Sequence, residues 1–409
     1  MTAFTRIPLC LASMLALALV LLAPRPLEAG SPKPKYQLLY SFQGQPDGAN
    51  PFAGLIMGTN GILYGTTKYG GAYDAGSVFS VDSSGKEAVI HSFPGSPDGQ
   101  QPVAGLTSDS SGNFYGTTEI GGTGDCPVLG CGTVFKVDTK GTETVLYSFV
   151  GGMDGSFPVG SLIVDQNGSL YGTTSQGGSS KDYGTVFKLD QDGTESVLYS
   201  FTGRADGASP QASLIFDPSG NLYGTADSGG KYGHGVVFKL APQPNGTWVE
   251  TVLYSYKDSP DGAGPVGSLT WDEKRNLYGT TVEGGIKVSN RCRFGCGTVF
   301  ELSVNGKETV LFRFRVGTGK YPEGAVIRDA TGNLYGTAPR GGTRRGNSCC
   351  GLVFRVSSAG KETLLYKFTG GADGNNPSPN LLRDAAGNFY GTAEAGGQFI
   401  SGTVFKLIP

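Results

Sequence analysis

Two sets of residues in this chain have types and spacings that could do chemistry. The first is an Asp-Gly-x-x-Pro string at Asp47, Asp98, Asp154, Asp206, Asp261 and Asp373, with Thr318 where a seventh acid would fall. Carboxylates suit calcium, but a calcium site needs several oxygens around one ion. One carboxylate at a time, the string reads instead as an Asp-Gly turn feeding a Pro-started strand. The second set lies inside Tyr-Gly-Thr-(Thr/Ala)-x-x-Gly-Gly, where two positions vary freely. The pairs are Lys68-Tyr69, Glu119-Ile120, Ser175-Gln176, Asp227-Ser228, Val282-Glu283, Pro339-Arg340 and Glu394-Ala395. A framework shared by every copy cannot distinguish one ligand from another, so any specificity belongs to the changing part. The candidate ligand-binding residues are Lys68, Tyr69, Glu119, Asp227, Glu283, Arg340 and Glu394. Lys231, Tyr232 and His234 join them from the loop after Asp227. This mixture suits a polar ligand such as a glycan, or a protein partner.

Catalytic constellations are hard to assemble. The chain has two histidines. His91 stands where the repeat otherwise has an aromatic residue, and His234 is a lone loop base. Neither a Gly-x-Ser-x-Gly elbow, a phosphate-binding Walker loop nor a His-rich metal motif occurs. No catalytic residue, metal ligand or cofactor is assigned.

Apart from Cys10, the cysteines fall in three close pairs: Cys126/Cys131, Cys292/Cys296 and Cys349/Cys350. All six sit in the three longest stretches between Gly-Gly and the next Gly-x-Val-Phe. An even count in an exported chain indicates disulfides. Cys126–Cys131 and Cys292–Cys296 are the first choices, while Cys349 and Cys350 either join each other or reach the loop holding Cys292. Their spacing does not suit a zinc ribbon.

The elements that must position these residues are set by the repeat. Its Tyr-Gly-Thr core begins at Tyr64, Tyr115, Tyr171, Tyr223, Tyr278, Tyr335 and Tyr390, at intervals of 51 to 57 residues. Such a period marks units that bury themselves only by stacking. Each unit has four strand-like runs; in the third they are 161–165, 169–174, 184–189 and 195–201, joined by short Asp/Asn/Gly turns. Seven such meanders make a seven-bladed, all-β propeller of four-stranded antiparallel blades. Small residues open each first strand, as in Ala53-Gly54, Gly160-Ser161 and Gly267-Ser268, where bulk would collide at a central axis. The chain opens with an outer-strand sequence at 36–42 and stops with a third-strand sequence, so the N-terminal strand completes the last blade and removes an edge.

With 68 glycines and 16% charged residues, the composition is turn-rich, and a net charge of −2 argues against a nucleic-acid or anionic-membrane surface. Residues 1–29 have the layout of a signal peptide: Arg6, an apolar stretch from Leu9 to Leu22, then Ala29 before Gly30. The expectation is an exported, monomeric protein, extracellular, periplasmic or at the cell surface. Residues 30–409 would form a single propeller with no membrane span.

The Gly-x-Val-Phe, Leu/Phe-Tyr-Gly-Thr and aromatic outer-strand runs resemble the GloVer tandem repeat over about residues 36–409. The resemblance implies a secreted or surface β-propeller from an exported bacterial family, and it names no ligand. The expected function is a binding or interaction module for a polysaccharide or an envelope protein. The competing reading is an enzyme, of lactone-hydrolase or glycan-cleaving type, with its site at the central channel mouth.

Overall fold

The glycine of each Tyr-Gly-Thr string lies opposite the phenylalanine of the next Gly-x-Val-Phe, and this pairing dictates the blade. In the third unit Leu170–Thr174 runs antiparallel to Thr185–Leu189, with Gly172 facing Phe187. A Cβ on Gly172 would stand 2.6 Å from the Phe187 ring, so the ring can lie across the strand only because the side chain is missing. The same contact recurs at Gly65/Phe79, Gly116/Phe135, Gly224/Phe238, Gly279/Phe300, Gly336/Phe354 and Gly391/Phe405.

In the computed structural model, which describes residues 33–127, 129–179, 182–288, 291–342 and 349–409, seven such sheets form. The blade order is inner, second, third and outer strand, as in Ile163–Val164, Leu170–Thr174, Thr185–Leu189 and Glu195–Ser200. The architecture is the expected seven-bladed propeller of four-stranded antiparallel blades. Lys35–Ser41 pairs antiparallel with Thr403–Ile408 and supplies the outer strand of the seventh blade. It starts one residue before the expected 36–42, and Phe42 follows it with its N–H on Gly402 O at 3.0 Å. The candidate leader, 1–29, lies outside the described residues. Among those described, no helix is long and apolar enough to cross a membrane.

The inner strands are shorter than the sequence suggests, with two paired residues each instead of five. Upstream of them the chain leaves the ladder to pack at the axis. A Cβ on Gly267 would lie 2.7 Å from Gly324 O, and one on Gly324 would collide with the Pro379 carbonyl. Each third and outer strand also shifts register once, between Val186 and Phe187 in the third blade. A bulge of this kind bends the strand and adds the twist a propeller blade requires.

Blades adhere through two repeated devices. At the end of each outer strand a buried ring meets the next blade's third-strand phenylalanine edge to face. Examples are Phe42–Phe79 at 4.9 Å, Phe149–Phe187 at 5.1 Å and Phe368–Phe405 at 5.2 Å between centroids. Each such pair contributes about 0.5–1.5 kcal/mol beyond the area it buries. Nearer the axis, in every blade but the second, the first threonine of Tyr-Gly-Thr donates to a carbonyl of the next blade. Thr66 bonds Ala104 O at 3.0 Å, Thr280 bonds Gly324 O at 2.8 Å, and Thr392 bonds Ala53 O at 3.0 Å across the closure.

The second position of the Thr-(Thr/Ala) pair follows its neighbour. In four blades the third strand offers a hydroxyl and threonine meets it: Thr67/Ser77, Thr118/Thr133, Thr174/Thr185 and Thr281/Thr298, all at 2.7–2.8 Å. Where the third strand offers Val236 or Leu352, the partner is Ala226 or Ala338. Buried polar groups need a partner or must disappear in pairs.

Candidate functional site at the channel mouth

In every blade the Asp-Gly turn pairs with the variable loop positions, which puts both loop types on one face. The pairs include Ala49 with Tyr69, Gln100 with Ile120, Ser156 with Gln176, Ala208 with Ser228 and Lys320 with Arg340. Ala263 with Glu283 and Asn375 with Ala395 complete the ring. Each turn is followed by a proline, and in six blades the residue after it, Phe52, Val103, Val159, Gln211, Val266 or Glu323, lines the axis.

A cavity of about 450 Å³ occupies the axis below this face. Its wall is apolar at Phe52, Val103, Val159, Val266 and Val282, with Asp227, Glu283 and Glu323 as its ionisable groups and Gln211 and Asn380 beside them. Burial raises the carboxyl of Asp227. Burial also raises Glu283, helped by Asp227 and Asp258 and opposed by His234 and Lys287. Glu323 is pushed up to about 7 by burial, with Arg340 holding it down and Glu394 adding to the rise. A carboxyl raised to about 7 in a cavity, as Glu323 is, can accept or donate a proton, and all three can accept hydrogen bonds from hydroxyl or ammonium donors.

The structure brings some sequence candidates together and leaves others apart. Asp227 and Glu283 meet at the cavity, and Arg340 and Glu394 flank Glu323. Lys68 and Glu119 pair with each other at 3.0 Å, while Tyr69 lies beneath the Lys68 ammonium at 5.8 Å. Lys231 stands over the Tyr232 ring at 5.4 Å, outside the cavity lining. His234 lies outside the cavity lining, close enough to Glu283 to oppose the rise of its carboxyl. The structure joins Cys126 to Cys131, Cys292 to Cys296 and Cys349 to Cys350. Asn380 is spoken for: its Oδ1 accepts the Ala325 N–H at 2.9 Å, as Ser161 and Ser268 accept from Gly105 and Ser213.

Glu323 was not among the sequence candidates. It occupies a position held by Phe52, Val103, Val159, Gln211, Val266 and Ser378 in the other blades. Being the one charge in that column was the available signal.

The loop tips carry the molecule's exposed apolar residues. Among the described residues fifteen large hydrophobics are exposed, and nine of them lie on these loops: Tyr69, Tyr73, Leu129, Val150, Met153, Tyr232, Phe294, Phe399 and Ile400. Five are on outer strands and only Val304 lies on the opposite face, so the distribution is one-sided.

Closure, blade count and the axial cavity define a seven-bladed β-propeller with a loop-bearing face over its channel. The chain belongs to the Gloeobacter/Verrucomicrobia repeat family, which matches residues 29–180, 128–342 and 287–409. No curated protein sequence matches it. Among solved structures it is similar to a gluconolactonase from Xanthomonas campestris at 16% identity, with 90% of this chain and 98% of that one covered and a TM-score of 0.45. A Bacteroides uniformis protein provisionally named as a 6-phosphogluconolactonase is 15% identical, with coverages of 77% and 84% and a TM-score of 0.49. A luciferin-regenerating enzyme is 15% identical, with coverages of 77% and 92% and a TM-score of 0.40. At these identities and scores, no residue role or activity carries over from them.

Proposed function

We propose that this chain is an exported binding module that holds a polysaccharide on its loop face. The observation that carries this is the gathering of exposed apolar and aromatic side chains on the face that surrounds the cavity. Aromatic residues offer large contact area with few torsions to freeze, and a one-sided apolar surface marks an interaction site. Three disulfides on the long loops reduce the cost of ordering them around a ligand. The purified chain should bind at least one member of a panel of cell-wall and environmental polysaccharides. Tyr73→Ala, Tyr232→Ala and Phe294→Ala should weaken that binding with the melting temperature unchanged. A blank panel, or binding indifferent to all three changes, rejects the reading.

An enzyme remains the second reading, because Asp227, Glu283 and Glu323 share a cavity with carboxyls shifted toward neutrality. In that reading turnover of a lactone or glycan would be lost on Glu283→Gln or Glu323→Gln while ligand binding persists.

A further inference from the structure

Blade six departs from the other blades at four places; Glu323 adds an acid at the axis, and the other three make the corner outside it more positive. The Asp of the Asp-Gly turn becomes Thr318, which removes a carboxylate. The residue after that turn glycine is Ala49, Gln100, Ser156, Ala208, Ala263 or Asn375 elsewhere, and here it is Lys320. Directly opposite, across the bridge in which the Lys320 N–H donates to Arg340 O at 2.8 Å, the variable position is Arg340. Like charges facing each other across a strand pair are destabilising. The fold gains nothing from this arrangement by itself.

Lys320 is also buried, with 4% of its surface exposed. A lysine so enclosed ordinarily has a carboxylate beside it. Among the described residues its ammonium instead makes one long hydrogen bond, 3.4 Å to the carbonyl of Arg291, and lies 5.5 Å from the centre of the Tyr321 ring. The charged groups that act on it are Arg340 and Arg291, both cations, and together with burial they lower its proton affinity. Arg340 acts on Glu323, an acid of the cavity wall that burial pushes up to about 7 and that Glu394 raises further. Glu323 and Glu394 both lie near Arg340, yet neither is among the charged groups that act on Lys320.

We propose that Lys320, Arg340 and Arg291 form an anion site on the loop face between blades five and six, which holds the carboxylate or sulfate group of an acidic polysaccharide. The inference rests on the polysaccharide reading and narrows it to acidic chains. The guanidinium groups supply paired N–H donors suited to a planar or tetrahedral oxyanion, and the enclosed ammonium supplies a charge that water screens only in part. Glu323 and its neighbours set the inner boundary, so a sugar ring beside the anion would reach the cavity.

The test uses the purified full chain with three polymers: polygalacturonate, dextran sulfate and neutral dextran. At least one acidic polymer should bind and neutral dextran should not, and added salt should weaken the binding. Lys320→Ala and Arg340→Gln should each weaken it by about ten-fold or more. Lys361→Ala, on the opposite face, should leave it unchanged. Because Lys320→Ala relieves a like-charge pair, the unliganded variant should melt at a temperature equal to or above the parent. Acidic polymers that bind equally well to Lys320→Ala overturn the anion site, as does an equal loss with Lys361→Ala. Neutral dextran binding that ignores Lys320 keeps the polysaccharide reading and sinks this inference. Inorganic sulfate that stabilises the parent but not Lys320→Ala, with no polymer bound, keeps the anion site and sinks the polysaccharide reading.

Discussion

The hydroxyl of Tyr254 donates to Oδ2 of Asp261 across 2.9 Å, tying the end of one blade's outer strand to the turn that opens the next. Four more seams repeat the bond: Tyr40–Asp47 at 2.5 Å, Tyr147–Asp154 and Tyr199–Asp206 at 3.1 Å, and Tyr366–Asp373 at 2.9 Å. Where blade five ends in Phe312 instead of tyrosine, the next turn carries Thr318 instead of aspartate. The Thr318 hydroxyl then accepts the Arg315 N–H at 2.9 Å, the work that Asp261 does for Lys257. His91 replaces the remaining tyrosine and turns to Glu143, 3.3 Å away.

This coupling is measurable. Tyr254→Phe should cost about 1–2 kcal/mol, since it takes a donor from a buried carboxylate. The double change Tyr254→Phe with Asp261→Thr copies the Phe312/Thr318 seam and should cost less than the sum of the two single changes. Denaturant unfolding of the four proteins checks it; strict additivity would show that the residues do not act together.

Much of this was readable in the sequence, and the limits are instructive. The blade count, the small residues at the axis and the closing strand followed from a period and two chain ends. The Thr-to-carbonyl bonds and the Tyr–Asp seams did not, because each joins neighbouring blades whose relative register the sequence does not state. The recurrent glutamate near the start of the other six outer strands, where the seventh has Tyr36, looked like an ordinary polar strand end. Folding places Glu308 beside Asp261 of its own blade's opening turn and Tyr254 of the blade before. Glu323 escaped notice because no repeat of the motif carries chemistry at that position.

Among the described residues the buried hydroxyls of Thr117, Tyr256 and Thr403 lack partners, and the last two point to stabilising changes. Tyr256 is fully buried in a column otherwise filled by Phe42, Phe93, Phe149, Phe201, Phe314 and Phe368, and its hydroxyl is unpaired. Thr403 lies opposite Ala393, the one blade where the hydroxyl pairing is half lost. Tyr256→Phe and Thr403→Val should each stabilise the fold by about 1 kcal/mol. Ala393→Thr should recover a similar amount by supplying the missing partner. Thermal melts of the three variants decide the matter, and a fall in melting temperature would mean that these hydroxyls are bonded in solution.

Closure of the ring depends on Tyr36. Its ring stacks on Tyr366 at 4.5 Å, and its hydroxyl donates to Asp373 O at 2.8 Å. It fills the place that glutamate takes in the other outer strands. Tyr36→Ala should cost about 3–5 kcal/mol, as deletion of a large packed aromatic does. Hydrogen exchange should accelerate first in Lys35–Ser41 and its partner Thr403–Ile408. Uniform acceleration over all seven blades would show that the seam is no weaker than the rest.

The same seams make stability depend on pH. Glu87, Glu195, Glu250 and Glu308 are each raised to about 7, chiefly by burial and then by Asp47, Asp154, Asp206 and Asp261. Each has a buried Oε1 without a bonding partner, as expected of a carboxyl that keeps its proton. Glu362 faces Thr318 in place of an aspartate, and its rise comes from burial alone. An acid raised on folding binds more protons in the native state, so its contribution is full below about 4.5 and is lost as pH rises through 7. The turn carboxylates Asp109, Asp217, Asp272 and Asp384 are lowered by amide, hydroxyl and backbone donors, and their contribution is lost on acidification below about 4. The optimum should therefore fall between about pH 4 and 6. Allowing about 1 kcal/mol per seam glutamate after solvent screening, the melting temperature should drop by about 5 °C from pH 5 to pH 8. Replacing Glu87, Glu195, Glu250 and Glu308 together by glutamine should flatten that slope and leave the pH 8 protein more stable than the parent. Glu362→Gln should change the slope least, and a parent whose melting temperature holds or rises toward pH 8 would show that these carboxyls are ionised in the folded ring.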